Sequence, residues 1–221
     1  MLPSDRWQPS SLRCQELERG WLKNDWPEVY TSWMGTEVIP KLTYEEFRQL
    51  PDDGKRYELI HGEVHLSPSP STRHQLILWN LSLSLGTYMK NARLGLLAFA
   101  PLDVCLNQDT ALQPDLIFIS AKRVGIVHEN FVAGAPDLAV EILSQSTAAH
   151  DSVTKLPLYA EAGVGEIWLI DPQVKTVELL RLEGVKYVVD STLAGHQTLR
   201  SAALPGWELP LPELFSSSPL R

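Results

Sequence analysis

What most limits the fold of this chain is the order in which its hydrophobic period changes. From about Thr72 to Lys90 a helical stripe recurs, with His74, Leu78, Leu81 and Leu85 on one face. From Leu96 the period shortens: LLAFA, LDVCL and DLIFI are strand-length runs, with Asn107-Gln108-Asp109-Thr110 as a turn between the latter two. Pro136 introduces a further strand, DLAVEIL, and a helix follows that ends near Gly163, a residue suited to the left-handed position after a helix. Glu166 to Ile170 is again a strand, and Thr176 to Leu182 with Tyr187 to Val189 forms a trailing hairpin. Helix, three strands, helix, strand, hairpin predicts an α/β domain with a mixed sheet covered by helices. Upstream, Thr43 and Glu46 have the spacing of a capping box opening a short helix, and Tyr57 to Leu66 alternates as a strand folded at Gly62. The prolines Pro205, Pro210, Pro212 and Pro219 give the tail a loop-like composition.

Residues 1–40 differ from the rest. Trp7, Trp21, Trp26 and Trp33 lie there among polar residues without periodicity, as expected of an extension whose aromatics pack on the main domain or on a second subunit. The expected division is therefore 1–40 as extension, 41–215 as domain and 216–221 as tail. A net charge of -8 argues against a broad nucleic-acid-coating surface, which needs clustered Lys and Arg, but leaves room for a small site with a local basic groove. Cys14 and Cys105 are too few for a disulfide framework and lack metal-ligand spacing. No apolar run is long enough to span a bilayer, and the expected location is the cytoplasm.

Two acids stand on strands that are otherwise hydrophobic: Asp115 in Gln113-Pro114-Asp115, and Glu141 between Val140 and Ile142. A buried unpaired carboxylate costs several kcal/mol, so each requires compensation. One divalent cation would answer both, and hard oxygen ligands select Mg²⁺ or Mn²⁺ over zinc. Asp115, following a proline at a strand start, also suits a loop cap. Glu141 in mid-strand shares its face with Ala139 and Leu143, which makes that face a candidate floor for a site. His61 and His65 sit in a strand signal without the spacing of a metalloprotease helix, and no glycine-rich phosphate loop, nucleophile elbow or dinucleotide fingerprint is present.

The segments RYELIHGEV (Arg56 to Val64), SPSPSTRHQ (Ser67 to Gln75), QPDLIFIS (Gln113 to Ser120), APDLAVEILSQST (Ala135 to Thr147), DSVTKLPLYAEAGVGEIWLIDP (Asp151 to Pro172) and LPGWELPL (Leu204 to Leu211), in this order, resemble the Uma-type "putative restriction endonuclease" family of the PD-(D/E)XK nuclease superfamily. The resemblance runs from about Lys41 to Phe215 and implies a restriction-endonuclease-like core. It implies that Asp115 and Glu141 hold Mg²⁺, with Mn²⁺ as a substitute and the carbonyl of Ile142 as a further ligand. The motif's lysine position is occupied here by Leu143, and Lys155 on the following helix matches the place to which the family's lysine migrates. Lys155 would then orient a water or stabilise charge during hydrolysis of a DNA phosphodiester. Away from that register, a helix lysine is ordinarily solvated.

Glu58, Glu63 and His74 also lie in the matched text as accessory candidates. Alternation along one strand sends Glu58 and Glu63 to opposite faces, and Glu63, in the family's Gly-Glu pair, is the preferred one. His74 either orients a phosphate or carboxylate or is a core histidine with a backbone partner. Two features depart from the family pattern: Ala148, Ala149 and His150 stand where relatives carry arginines, and Pro157 follows Lys155 by two residues, where it would kink a helix unless it lies in the first turn. The expected function is a Mg²⁺-dependent endodeoxyribonuclease acting as a homodimer, since two symmetric sites suit two antiparallel strands. The alternative is a nuclease fold kept as a binding or assembly module with a weakened site.

Overall fold

The computed structural model describes residues 41–144 and 151–217. The tryptophan-rich segment, Ala148, Ala149 and His150, and residues 218–221 lie outside the described residues. Among the described residues no helix is long and apolar enough to cross a membrane.

The domain opens with α1 (Tyr44–Phe47), which four residues could not sustain alone. Its capping box forms as expected, and Tyr44 and Phe47 are buried against Leu59 and Ala111. The strands β1 (Arg56–Ile60) and β2 (Glu63–Ser67) form a hairpin through His61 and Gly62, both at positive φ (50° and 81°), as a two-residue turn of this twist requires. Helix α2 (Thr72–Ala92) starts at Ser71, whose hydroxyl accepts the His74 N–H, and buries Ile77, Leu81, Leu85 and Met89 at four-residue intervals.

Five strands follow: β3 (Gly95–Phe99), β4 (Asp103–Asn107), β5 (Thr110–Leu112), β6 (Leu116–Ser120) and β7 (Phe131–Ala133). Next come β8 (Leu138–Ile142), a π-helical turn over Asp151–Lys155, α3 (Leu156–Ala162), β9 (Glu166–Asp171), β10 (Thr176–Glu183) and β11 (Lys186–Ala194). The chain closes through β12 (Thr198–Arg200), β13 (Glu208–Pro210) and α4 (Leu211–Leu214). Gly163 takes the left-handed position (φ 85°) expected after α3.

The α/β class holds, with mixed sheets, but the strands divide. A six-stranded sheet has the order β11-β10-β9-β8-β6-β3, and a five-stranded one β2-β1-β5-β4-β7. The turn expected to join LDVCL to DLIFI instead returns β4 onto the three-residue β5, so these two runs belong to different sheets. In the larger sheet β8 is antiparallel to β6 and parallel to β9. Both faces of these central strands are covered, which explains why they read as continuous apolar runs. On one face Leu116, Phe118, Leu138, Val140 and Ile142 meet α2; on the other Ile117, Ala139, Ile167 and Leu169 meet α3 and the smaller sheet.

The tail corrects the loop-like expectation. Leu204, Trp207, Leu209, Leu211 and Leu214 are buried in the α2 side of the core, and Trp207 stacks on Trp168 with ring centroids 5.4 Å apart. Pro210 closes β13 and Pro212 lies in the first turn of α4, where a missing N–H costs little.

Candidate functional site

The site begins with strand register. β6 and β8 pair Leu116 with Val140, and one further step along the same ladder brings Asp115 opposite Glu141 at the end of the sheet. Both carboxylates are buried, Asp115 at 7% and Glu141 at 4% exposure.

Each is satisfied by named donors. Asp115 Oδ2 accepts the Ile142 N–H at 2.8 Å and lies 2.9 Å from His74 Nε2, so Asp115 ties β6 to β8 and to the first turn of α2. The other His74 nitrogen, Nδ1, is buried with no hydrogen-bond partner among the described residues. Glu141 Oε1 accepts from the Tyr159 hydroxyl at 2.6 Å and from Lys155 Nζ at 3.3 Å. Lys155 Nζ also lies 3.0 Å from Glu58 Oε1, which in turn accepts the Gln113 N–H at 2.7 Å. Lys155 itself is 5% exposed.

The helix geometry explains how a lysine from a later element reaches the acids. Lys155 ends the π turn and immediately precedes α3, so Pro157 falls in the first turn of α3, where its missing N–H is tolerated. The first-turn condition under which a proline there spares the helix is therefore met. Pro157 offers no donor to the carbonyl of Val153, which suits the wider π turn upstream. Tyr159, one turn beyond Lys155, projects on the same side and completes the clasp on Glu141.

The structure therefore brings together Asp115, Glu141, Lys155, Glu58 and His74, all lining one cleft of about 330 Å³ together with Arg56, His65, Gln113 and Ile142. Glu63 stays outside it, exposed at the far end of the hairpin. The alternation that separated Glu58 from Glu63 fails because the two-residue turn reverses parity. Ile60 pairs with Glu63 and Glu58 with His65, so all four side chains share one face, and only distance keeps Glu63 from the cleft. Sequence pattern gives Tyr159, Gln113 and Arg56 no role of their own, although Tyr159 stands one helical turn after Lys155 and Gln113 abuts the Pro-Asp pair.

A second line of bonds supports the Glu58 wall. Gln113 Nε2 donates to Asp103 Oδ1 at 2.8 Å, and the Tyr44 hydroxyl donates to Asp103 Oδ2 at 3.1 Å. Burial first, and then the nearby Asp103 carboxylate, push the Tyr44 phenol above its ordinary range, which keeps it a donor.

For a cation, the donor set is two carboxylates on adjacent strands and the neighbouring backbone. Among the described residues no group of three His, Cys, Asp or Glu side chains is arranged to enclose a metal. Zinc and calcium sites rely on three or more protein ligands, whereas Mg²⁺ is commonly held by one or two carboxylates with waters and substrate phosphate completing its shell. The residues present fit the latter. Among the described residues, the three buried carboxylates Glu58, Asp115 and Glu141 share the cleft with the Lys155 ammonium and the Arg56 guanidinium.

The family model Uma2, described as "Putative restriction endonuclease", matches residues 44–212. The chain belongs to the Uma2 family. All the cleft residues named above lie within the matched span. A crystal structure of a "putative nuclease belonging to DUF820" from Anabaena variabilis ATCC 29413 is similar to this Uma2 chain with a TM-score of 0.65, at 22% identity, covering 79% of this chain and 97% of that one. At that identity the likeness concerns the fold. Among curated proteins none matches the chain.

Proposed function

We propose that this Uma2 protein is a Mg²⁺-dependent nuclease that hydrolyses DNA phosphodiester bonds in the Asp115/Glu141/Lys155 cleft. The observation that carries this reading is convergence: Glu141 and Lys155, from separate elements, meet at 3.3 Å, and Asp115, which accepts the N–H of the residue after Glu141, lines the same cleft. Asp115 and Glu141, with the Ile142 carbonyl, would hold the ion, and Mn²⁺ would substitute. When bound, the ion supplies positive charge to the phosphate oxygens and acidifies water. Lys155 places a fixed charge where negative charge grows on the attacked phosphate, and its contacts with Glu58 and Glu141 hold it there in advance. Tyr159 fixes the Glu141 carboxylate, and His74 does the same for Asp115. A homodimer would present two such sites to the two strands of a duplex.

The test is cleavage of plasmid DNA with Mg²⁺ by the wild type and by Asp115→Asn, Glu141→Gln and Lys155→Met. Each variant is expected to lose at least a hundredfold of the rate, as removal of a charge-stabilising group does. Wild-type cleavage by Glu141→Gln would refute the reading.

The second reading is a binding or assembly module. It is favoured by Lys155 lying against both Glu58 and Glu141, which already gives these acids a cation. A module of that kind shows no rise in melting temperature with Mn²⁺, whereas a metal site selective for the native state must show one.

A further inference from the structure

The hairpin wall of the cleft carries a cation that the proposed chemistry has not used. Arg56 opens β1 and lines the cleft with Glu58, Asp115 and Glu141, yet among the described residues it forms no ion pair with any carboxylate. A neutral side chain holds it instead. Its Nε donates to Gln113 Oε1 at 3.2 Å, and Nη2 makes a long contact of 3.5 Å with the Gln113 carbonyl oxygen. Gln113 is anchored in turn on Asp103, and Asp103 on Tyr44.

This arrangement has an electrostatic consequence. A guanidinium among acids ordinarily forks onto a carboxylate. Here Gln113 fixes its inner edge, so its orientation is set while its charge stays unneutralised. The two terminal nitrogens keep parallel N–H groups for a planar or tetrahedral anion, the geometry in which arginine surpasses lysine. The same face of the hairpin adds donors. Across the hairpin Ser67 pairs with Arg56 and His65 with Glu58, and both line the cleft. One side of the cleft is thus donor-rich while its floor is acidic.

We propose that Arg56, oriented by Gln113, is the wall of the cleft that grips the non-bridging oxygens of a nucleic-acid backbone phosphate. The inference rests on the nuclease reading and adds its substrate-positioning residue. It also explains how a chain of net charge -8 receives a polyanion: through one held guanidinium at the site and not through a basic surface.

The test is fluorescence anisotropy of a short labelled DNA duplex with the full chain, in EDTA to prevent cleavage, repeated across a salt series. Arg56→Gln is expected to weaken binding about tenfold and to lower the slope of log affinity against log salt by about one, the signature of one lost phosphate contact. Arg56→Lys keeps the slope but loses several-fold in affinity, because a point charge replaces the fork. Arg200→Gln, which removes an exposed arginine paired with Glu208, leaves both unchanged. Should Arg56→Gln fail to fold, Arg56→Lys decides alone, and wild-type affinity in that variant overturns the proposal. So does an unchanged salt slope in a folded Arg56→Gln, or no duplex binding by the wild type. Failure here is separable from failure of the nuclease reading: a Glu141→Gln protein that still cleaves sinks the latter and leaves the Arg56 slope standing.

Discussion

Replacing Lys155 with methionine removes one ammonium and almost no volume, and the structure sets the size of the effect. Nζ lies 3.0 Å from Glu58 Oε1 and 3.3 Å from Glu141 Oε1, and the three residues are 5%, 2% and 4% exposed. At an effective dielectric of about 20, each contact is worth about 5 kcal/mol of gross attraction. Desolvation of the three groups offsets most of this in the intact protein. The variant keeps the desolvated carboxylates and loses their partner, so the expected cost is about 3 to 5 kcal/mol. For a domain of this size that is a fall of about 6 to 20 °C in melting temperature, measured by thermal unfolding in EDTA. Two further measurements sharpen the test. Adding Glu58→Gln to Lys155→Met should recover part of the loss, since one orphaned charge is gone. Mn²⁺ at about a hundred times its dissociation constant should return about 2.7 kcal/mol by occupying the acids. A Lys155→Met protein that melts within about 2 °C of the wild type in EDTA would show that this lysine does not hold the carboxylates.

Tyr159→Phe deletes the 2.6 Å hydrogen bond to Glu141 Oε1, and a bond to a charged group is worth about 1.5 to 3 kcal/mol; urea unfolding measures the loss, and a parallel fall in cleavage rate is expected because the carboxylate is no longer fixed. Trp207→Ala should cost about 3 to 5 kcal/mol in the same assay, since it empties a buried site stacked on Trp168; a cost below about 1 kcal/mol would mean that the tail is not part of the core. Burial pushes the Tyr187 phenol, which donates to the Val164 carbonyl, above its ordinary value. The folded state therefore keeps the proton that the unfolded chain gives up, so stability is full below about pH 10 and declines above it. Tyr187→Phe should make that alkaline decline shallower, as read from urea midpoints across the range.

The helices and long strands were legible because their signals are local and repeated: the Thr43–Glu46 capping box, the α2 stripe, the glycine after α3 and the continuous apolar runs of β6, β8 and β9. The same clarity exposed Asp115 and Glu141, since an acid inside such a run stands out. Features that depend on partners were not legible. β5 and β7 have three residues each, too few for alternation to register, and they exist because β4 pairs with both. The Gly-Glu pair favours Glu63 over Glu58, and parity counted straight through a turn that reverses it sets the two acids on opposite faces. The tail looked loose because proline content outweighed four spaced leucines and a tryptophan whose burial depends on α2 and β9, far away in sequence. Arg56 gave no local sign at all, since its significance lies in what it does not pair with.

The burial of Trp207 and its neighbours has a consequence for biosynthesis. Val140 and Ile142, which flank Glu141, pack into the same cluster as Leu199, Leu204, Leu209, Leu211 and Leu214. A nascent polypeptide emerging from the ribosome lacks that closing layer until translation has passed Leu214, at roughly 5 to 20 residues per second. Premature termination anywhere upstream of Trp207 would leave the strand bearing Glu141 with an open back, so fragments released early should be substrates for quality-control proteases.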